Sequence, residues 1–273
     1  RMPRASPTEM TPNQLARQIG TPDCPALIDL RIDADFDADP VFIPGARRHA
    51  AADIVDLVPA LTVRRAILYC HKGLKISQGA AAILRCEGVQ AETLEGGMVS
   101  WRDAALPTVT AAALPVAQTS GGTLWVPRAR PKIDRIACPW LLRRFVDPMA
   151  RFLFVAPSQV DLVAERFGAT AFDMPDGAWS HRGAFCTFDT MLAEFGLKVP
   201  ALDRLAEIVR GADTDRHDLA PEAAGLLAVS LGLSRMYRDD LQQLEAGMGL
   251  YDALYRWARD AQDEGHDWPA AKG

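Results

Sequence analysis

Cys70 is the residue in this sequence best placed to do covalent chemistry. It ends an apolar run in "AILYCHKGLKIS", Ala66 to Ser77, and His71, Lys72, Gly73, Leu74, Lys75 and Ile76 follow it. A strand that ends at Cys70 and a helix that begins near Ser77 leave a short loop over the carboxyl end of a sheet, the edge where open α/β sheets bind ligands. The loop and the helix N-terminus both present unpaired N–H groups, and the helix dipole adds partial positive charge. Those donors favour a thiolate over a thiol, and the thiolate is the nucleophile. Gly73 lets the backbone turn with its amides facing inward. The competing reading is an inert buried thiol, since free cysteine is among the most buried residue types. The strand, cationic glycine loop and helix around Cys70 favour the reactive one.

A second set of polar residues lies further along, in "PKIDRIACPW", "WSHRGAFCTFDTM" and "GADTDRHD". Asp213 and His217 stand four apart, a spacing that would put two ligands of one metal on one helical turn. Asp134, His181 and Asp189 could complete a hard N/O site suited to a divalent metal, Fe, Mn or Zn. Asp189 equally fits the first turn of a helix, where a carboxylate complements the dipole, and "GADTDRHD" could simply end a helix. Arg128, Arg130, Lys132 and Arg135 form a basic cluster that could meet an oxyanion or be a solvated edge. Cys138, Cys186 and Cys86 read as packed core.

These residues need elements to hold them. "TPNQLARQI" opens as a helix with Thr11 as N-cap and Pro12 at its first position. "ALIDLR", "AILYC" and "AETLEGG" are short strands, "SQGAAAILRCEG" is a helix capped by Ser77, and "MVSWRDAA" is a closing helix. Strands alternating with helices predict a parallel sheet with helices on both faces. An uncharged Ala-, Thr- and Pro-rich stretch, 108–122, reads as a linker. It divides the chain into residues 1–107 and 123–273. The second part predicts strands at "TLWVP", "RFLFVAP" and "ATAFDM", a helix with Ser158 as its cap, and four more helices from Thr187 onward, a mostly helical α+β unit. In the last helix Leu241, Leu244, Met248, Tyr251, Leu254 and Ala258 form one apolar stripe.

The 273 residues allow about two domains. Lys and Arg number 30 against 35 Asp and Glu, an acidic balance that argues against nucleic acid as a partner. Five scattered cysteines without a CxxC pair indicate a reducing, cytoplasmic setting rather than a disulfide framework. No apolar run is long enough to span a bilayer, so no membrane is expected.

The first part resembles a single rhodanese domain. "LIDLRIDADF" matches its Asp-x-Arg-acid-Phe element on Asp29, Arg31, Asp35 and Phe36. "FIPGA" matches the Ile-Pro-Gly-Ala turn, "CHKGLK" the six-residue active loop, and "LEGGMVSW" the closing signature. Val41-Phe42 replaces the usual Gly-His, and Lys75 replaces the usual Arg or Thr. The resemblance implies that Cys70 takes a sulfane sulfur from a small donor, thiosulfate before mercaptopyruvate, and hands it to cyanide or a thiol, with no cofactor. His71 to Ile76 would bind substrate. Asp29 and Arg31 are grouped with them, chiefly to pair with each other and orient the strand ends. "RPKIDRIACPWLLRRFVDP", "HRGAFCTFD" and "IVRGADTDRHDLAPEAAGLLAVSLGLS" resemble the C-terminal domain of chromate-resistance proteins, which implies chromate or a metal as a further ligand. It joins Asp134, His181, Asp189 and Asp213 into one polar site. Alternatives to the sulfurtransferase are a chromate- or metal-sensing regulator and a metal-dependent enzyme sited in the second part.

Overall fold

The computed structural model describes residues 8–118 and 121–265. Its first half contains β1 (Glu9–Met10), α1 (Pro12–Ala16), β2 (Ala26–Asp29), α2 (Asp33–Ala38), β3 (Val41–Phe42), β4 (Ala46–Arg48), α3 (Val58–Leu61), β5 (Ala66–Tyr69), α4 (Lys75–Cys86), β6 (Ala91–Leu94) and α5 (Gly97–Asp103). Five of the strands form one parallel sheet in the order β1-β6-β5-β2-β4. The parallel sheet is as the sequence predicts, with β2, β5 and β6 and helices α1, α4 and α5 where expected, while strands β1 and β4 and helices α2 and α3 add to that prediction. Thr11 caps α1, with its hydroxyl oxygen accepting from the Gln14 amide and Gln14 answering in a capping box.

Side chains on successive strand positions point to opposite faces, and the two faces feed two cores. Ile28, Leu68 and Cys70 join Ile54, Leu61, Ala81 and Leu84 on one side. Leu27, Ile67, Tyr69 and Leu94 join Trp101 on the other, and this second core does not stop at the first half. It runs on through Trp125, Trp140, Phe145, Phe188, Leu205 and Tyr255. Gly20, at φ +80, lies so close to the rings of Phe145 and Tyr255 that a Cβ there would overlap them. The Gly45 amide of the Ile-Pro-Gly-Ala turn, at φ +79, donates to the Phe145 carbonyl at 2.7 Å.

The stretch expected as a linker is structured over its described residues. β7 (Val109–Thr110) pairs antiparallel with β3, Val109 is buried, and a 3-10 turn follows at Ala111–Ala113. The second half then builds a small parallel sheet, β10-β8-β9, from β8 (Leu124–Val126), β9 (Arg151–Phe152) and β10 (Thr170–Ala171). Around it lie α6 (Asp134–Leu141), α7 (Val160–Phe167), α8 (Thr187–Phe195), α9 (Pro200–Asp213), α10 (Ala223–Met236) and α11 (Asp240–Asp260). Pro139 sits inside α6, and the next turn, Leu142–Val146, widens to π geometry. Proline lacks the N–H that would close an α turn, so the ladder there is already interrupted.

Four local expectations change. Ser77 is not a cap: α4 begins at Lys75, and the Ser77 side chain turns toward Cys70 instead. Gln159, not Ser158, precedes α7, because a 3-10 turn at Pro157–Gln159 absorbs the serine. Cys86 is exposed rather than core, being on the outer side of α4. Leu241 is exposed at the start of α11, whereas Leu244, Met248, Tyr251 and Ala258 are buried as expected and Leu254 is half-buried.

Candidate functional site

The loop after β5 is seated on backbone. The carbonyls of Cys70 and His71 accept from the amides of Met98 and Val99 at 3.0 Å each, at the start of α5. Gly73, at φ +67, faces the amides of Gly96 and Gly97 and the Leu94 carbonyl so closely that no Cβ fits. Gly97, at φ +60, meets the same loop from below. Glycine is required at both positions by conformation and by contact.

This seat turns the loop amides toward the sulfur. Cys70 is buried, and burial alone would push its thiol up. The Ser77 hydroxyl, with Oγ 3.3 Å from Sγ, and the amides of Ser77, Leu74 and Lys72 outweigh burial and hold the thiol below its ordinary value. The sulfur therefore has a hydroxyl beside it and a loop that favours its anion, although Cys70 also belongs to the apolar core under α4. Lys72 and Lys75 are exposed at the rim, Leu74 is exposed, and His71 and Ile76 are half-buried. A cleft of about 550 Å³ opens beside the first turn of α4, lined by Leu30, Ile32, Arg48, His49 and Ile76.

Asp29 and Arg31 are held within the protein. Both side chains are fully buried, with Arg31 Nη2 2.6 Å from Asp29 Oδ2. Arg31 also donates to the carbonyls of Asp39 at 2.9 Å and Val41 at 2.6 Å. The Phe36 ring lies under Arg31 and Arg48, 4.8 and 4.4 Å from their guanidinium carbons. Their polar atoms brace the 39–41 segment; the donors that face the sulfur come from the loop itself.

The second polar cluster gathers at the carboxyl edge of the small sheet. His181 Nε2 stands 3.1 Å from Asp213 Oδ2, 3.4 Å from Asp134 Oδ2 and 3.6 Å from Asp173 Oδ1. Asp134, at the start of α6, accepts from the Thr187 amide at 2.6 Å and the Phe188 amide at 3.3 Å, which are the first amides of α8. Asp173, just past β10, is bound by Arg128 at 3.1 Å and Arg135 at 3.2 Å. A hydrogen bond from His181 to Asp134, together with the surrounding carboxylates, outweighs burial and lifts the imidazole to about 9. Burial and the neighbouring carboxylates of Asp134 and Asp173 lift Asp213 to about 7.

Three of the four expected residues thus meet, and one does not. Asp189 completes a capping box with the Cys186 amide at 3.0 Å and an ion pair with Arg210 at 2.7 Å. It serves the helix start. His217 falls beyond the end of α9 and faces Asp215 at 3.6 Å, so the four-residue spacing from Asp213 never becomes a helical turn. Sequence reading missed Asp173. The signal was present: an acid immediately after a short strand, at the edge where parallel sheets gather ligands. Three of the four residues of the basic cluster are engaged: Arg128 and Arg135 hold Asp173, and Arg130 donates its backbone amide to Asp240 and its guanidinium to the Ser234 carbonyl, while Lys132 is exposed. Cys138 and Cys186 are fully buried, as expected of core.

Comparison with known proteins agrees with the two halves. The family model for the rhodanese-like domain matches residues 11–104, and that for the ChrB C-terminal domain matches 125–258. Protein ChrB of Cupriavidus metallidurans is 36% identical over 136 residues, 49% of this chain and 40% of that protein. The match therefore spans less than half of that relative. Among solved structures, a rhodanese-like domain protein from Staphylococcus aureus aligns at 22% identity over 34% of this chain and 90% of its own, with a TM-score of 0.31. A thiosulfate sulfurtransferase from Pseudomonas aeruginosa aligns at 27% identity over 42% of this chain and 21% of its own, with a TM-score of 0.33. Among the described residues, no helix is long and apolar enough to cross a membrane. Residues 11–104 belong to the rhodanese-like domains and residues 125–258 to the ChrB C-terminal domain family, so this chain is a fusion of the two.

Proposed function

We propose that this protein is a sulfurtransferase that carries sulfane sulfur as a persulfide on Cys70, with thiosulfate or a similar small donor, in a chromate- or oxyanion-stress setting in the cytoplasm. The observation that carries this reading is the Ser77 hydroxyl oxygen 3.3 Å from the Cys70 sulfur, in a loop whose amides at Lys72, Leu74 and Ser77 also act to hold the thiol below its ordinary value. A thiolate needs that support, and so does the persulfide anion that replaces it. The Cys70 thiolate attacks the outer sulfur of thiosulfate. A sulfur–sulfur bond forms to Cys70, the bond to the sulfonate breaks, and sulfite leaves with the electron pair. Cyanide or a thiolate then attacks the outer sulfur of the persulfide, and the Cys70 thiolate departs. This is covalent catalysis in two half-reactions, with ping-pong kinetics. Lys72 and Lys75, exposed at the rim, suit the anionic end of the donor. The likeness of the second half to the C-terminal domain of a chromate-resistance protein supplies the stress setting.

The test is thiosulfate:cyanide sulfurtransferase activity of the full chain, with mass spectrometry of Cys70 after thiosulfate alone. Activity and a gain of one sulfur atom are expected in the wild type, and Cys70→Ala removes both. A wild type that shows neither would make the first half a binding module without catalysis.

A further inference from the structure

We propose that Asp134, Asp173 and His181 form a binding site for one divalent transition-metal ion, with Asp213 Oδ2 3.1 Å from the same imidazole nitrogen. The site is separate from the sulfur chemistry at Cys70. One ligand atom from each of Asp134, Asp173 and His181 can be chosen so that all lie within 4.8 Å of one another, which is the spread of ligands around a single ion. The group joins an imidazole to two carboxylates that are themselves buried, at 1% and 7% exposure. Arg128 and Arg135 already pair with Asp173, whereas Asp134 faces only the imidazole among the cationic groups of the described residues within 4 Å, and a buried carboxylate is costly without a cation beside it.

The imidazole does not satisfy that need by itself. Nε2 carries at most one proton, yet oxygens of Asp213, Asp134 and Asp173 lie 3.1, 3.4 and 3.6 Å from it. One N–H can be aimed well at one of them. An ion with several coordination positions meets more than one at once. The carboxylates are also braced from outside the cluster. Asp134 is held by two amides of α8, and Asp173 by Arg128, Arg135 and the Thr187 hydroxyl at 3.0 Å. Asp213 accepts from the Asp134 amide at 3.4 Å. Outer partners of this kind fix the direction in which metal ligands point.

Donor type narrows the ion. Carboxylate oxygens with one imidazole nitrogen suit Zn²⁺, Mn²⁺ or Fe²⁺ over a soft, thiolate-seeking ion. Cys138 and Cys186 are fully buried in the core, and the group whose ligand atoms converge contains no sulfur. His181 is 39% exposed, so the ion is reached from solvent and keeps an open position.

The experiment uses the full chain stripped by chelator and dialysed, then titrated with Zn²⁺ by calorimetry and with Co²⁺ by visible absorption. Wild type and Cys70→Ala are expected to bind one equivalent of each ion, with Co²⁺ giving ligand-field bands and no thiolate charge-transfer band. His181→Ala, at a half-exposed position where folding is kept, is expected to weaken binding by at least about 10-fold. His217→Ala is expected to bind as the wild type does. Thermal unfolding in saturating Zn²⁺ gives an independent readout: the midpoint rises in the wild type and not in His181→Ala. Absence of saturable binding, equal affinity in His181→Ala, or a thiolate band with Co²⁺ would each overturn the proposal.

Discussion

Ser77→Ala tests the physical basis of the Cys70 reading at one atom. Ser77 Oγ is 3.3 Å from Sγ, and the side chain is buried. Alanine is the best helix former, and Ser77 lies inside α4, so the helix tolerates the change. What is lost is one hydrogen bond to a buried anion, worth about 1.5–3 kcal/mol. That energy corresponds to roughly 10- to 100-fold in the thiol–thiolate equilibrium of Cys70. A less stabilised thiolate is also a better nucleophile, with a Brønsted slope of about 0.4–0.5, which returns nearly half of the loss on a logarithmic scale. Alkylation of Cys70 at a pH below its titration should therefore slow by about 4- to 12-fold. The lower figure is favoured, because the same hydroxyl also lies 3.3 Å from the Leu74 carbonyl and has one proton to give. The assay is iodoacetamide labelling followed by mass spectrometry of the Cys70 peptide across the pH range. The labelling curve of Ser77→Ala should move to higher pH. An unchanged curve would refute the claim that this hydroxyl holds the sulfur ionised.

Two further outcomes follow from the same region. Lys72→Ala and Lys75→Ala remove exposed rim charges; each should raise the thiosulfate KM by roughly 2- to 5-fold with little change in kcat, and the difference should shrink as salt rises. Steady-state kinetics at two ionic strengths reads this, and a fall in kcat instead would put the lysines in the chemical step. Asp29→Ala leaves the Arg31 guanidinium buried without its partner. It should cost about 3–5 kcal/mol in urea unfolding, since an uncompensated buried charge is among the most expensive defects. A loss well under 1 kcal/mol would mean that the guanidinium finds water.

Local chemistry was legible in the sequence. The strand leading into Cys70, the glycine loop and the Thr11 cap with Pro12 after it all follow from neighbours in the chain, and all appear in place. Readings that needed distant partners were less secure. Ser77 looked like a cap because it opens a helical pattern, but a sulfur seven residues earlier claims its hydroxyl. Asp189 looked free to bind a metal, but Arg210, on another helix, holds it. Asp173 drew no attention, because its value depends on His181, Arg128 and Arg135 meeting it across the fold. Residues 108–118 had no strand period, yet β7 finds β3 nearly seventy positions earlier in the chain.

The core that runs from Tyr69 and Trp101 through Phe145 to Tyr255 has a consequence for dissection of the protein. Cutting the chain near residue 115 would bare matching greasy faces on both fragments, with Gly20 and Gly45 stripped of the rings and carbonyl they rest on. Expressed alone, each fragment would tend to clump or to capture its complement, so fragment complementation in solution is the natural assay for the seam.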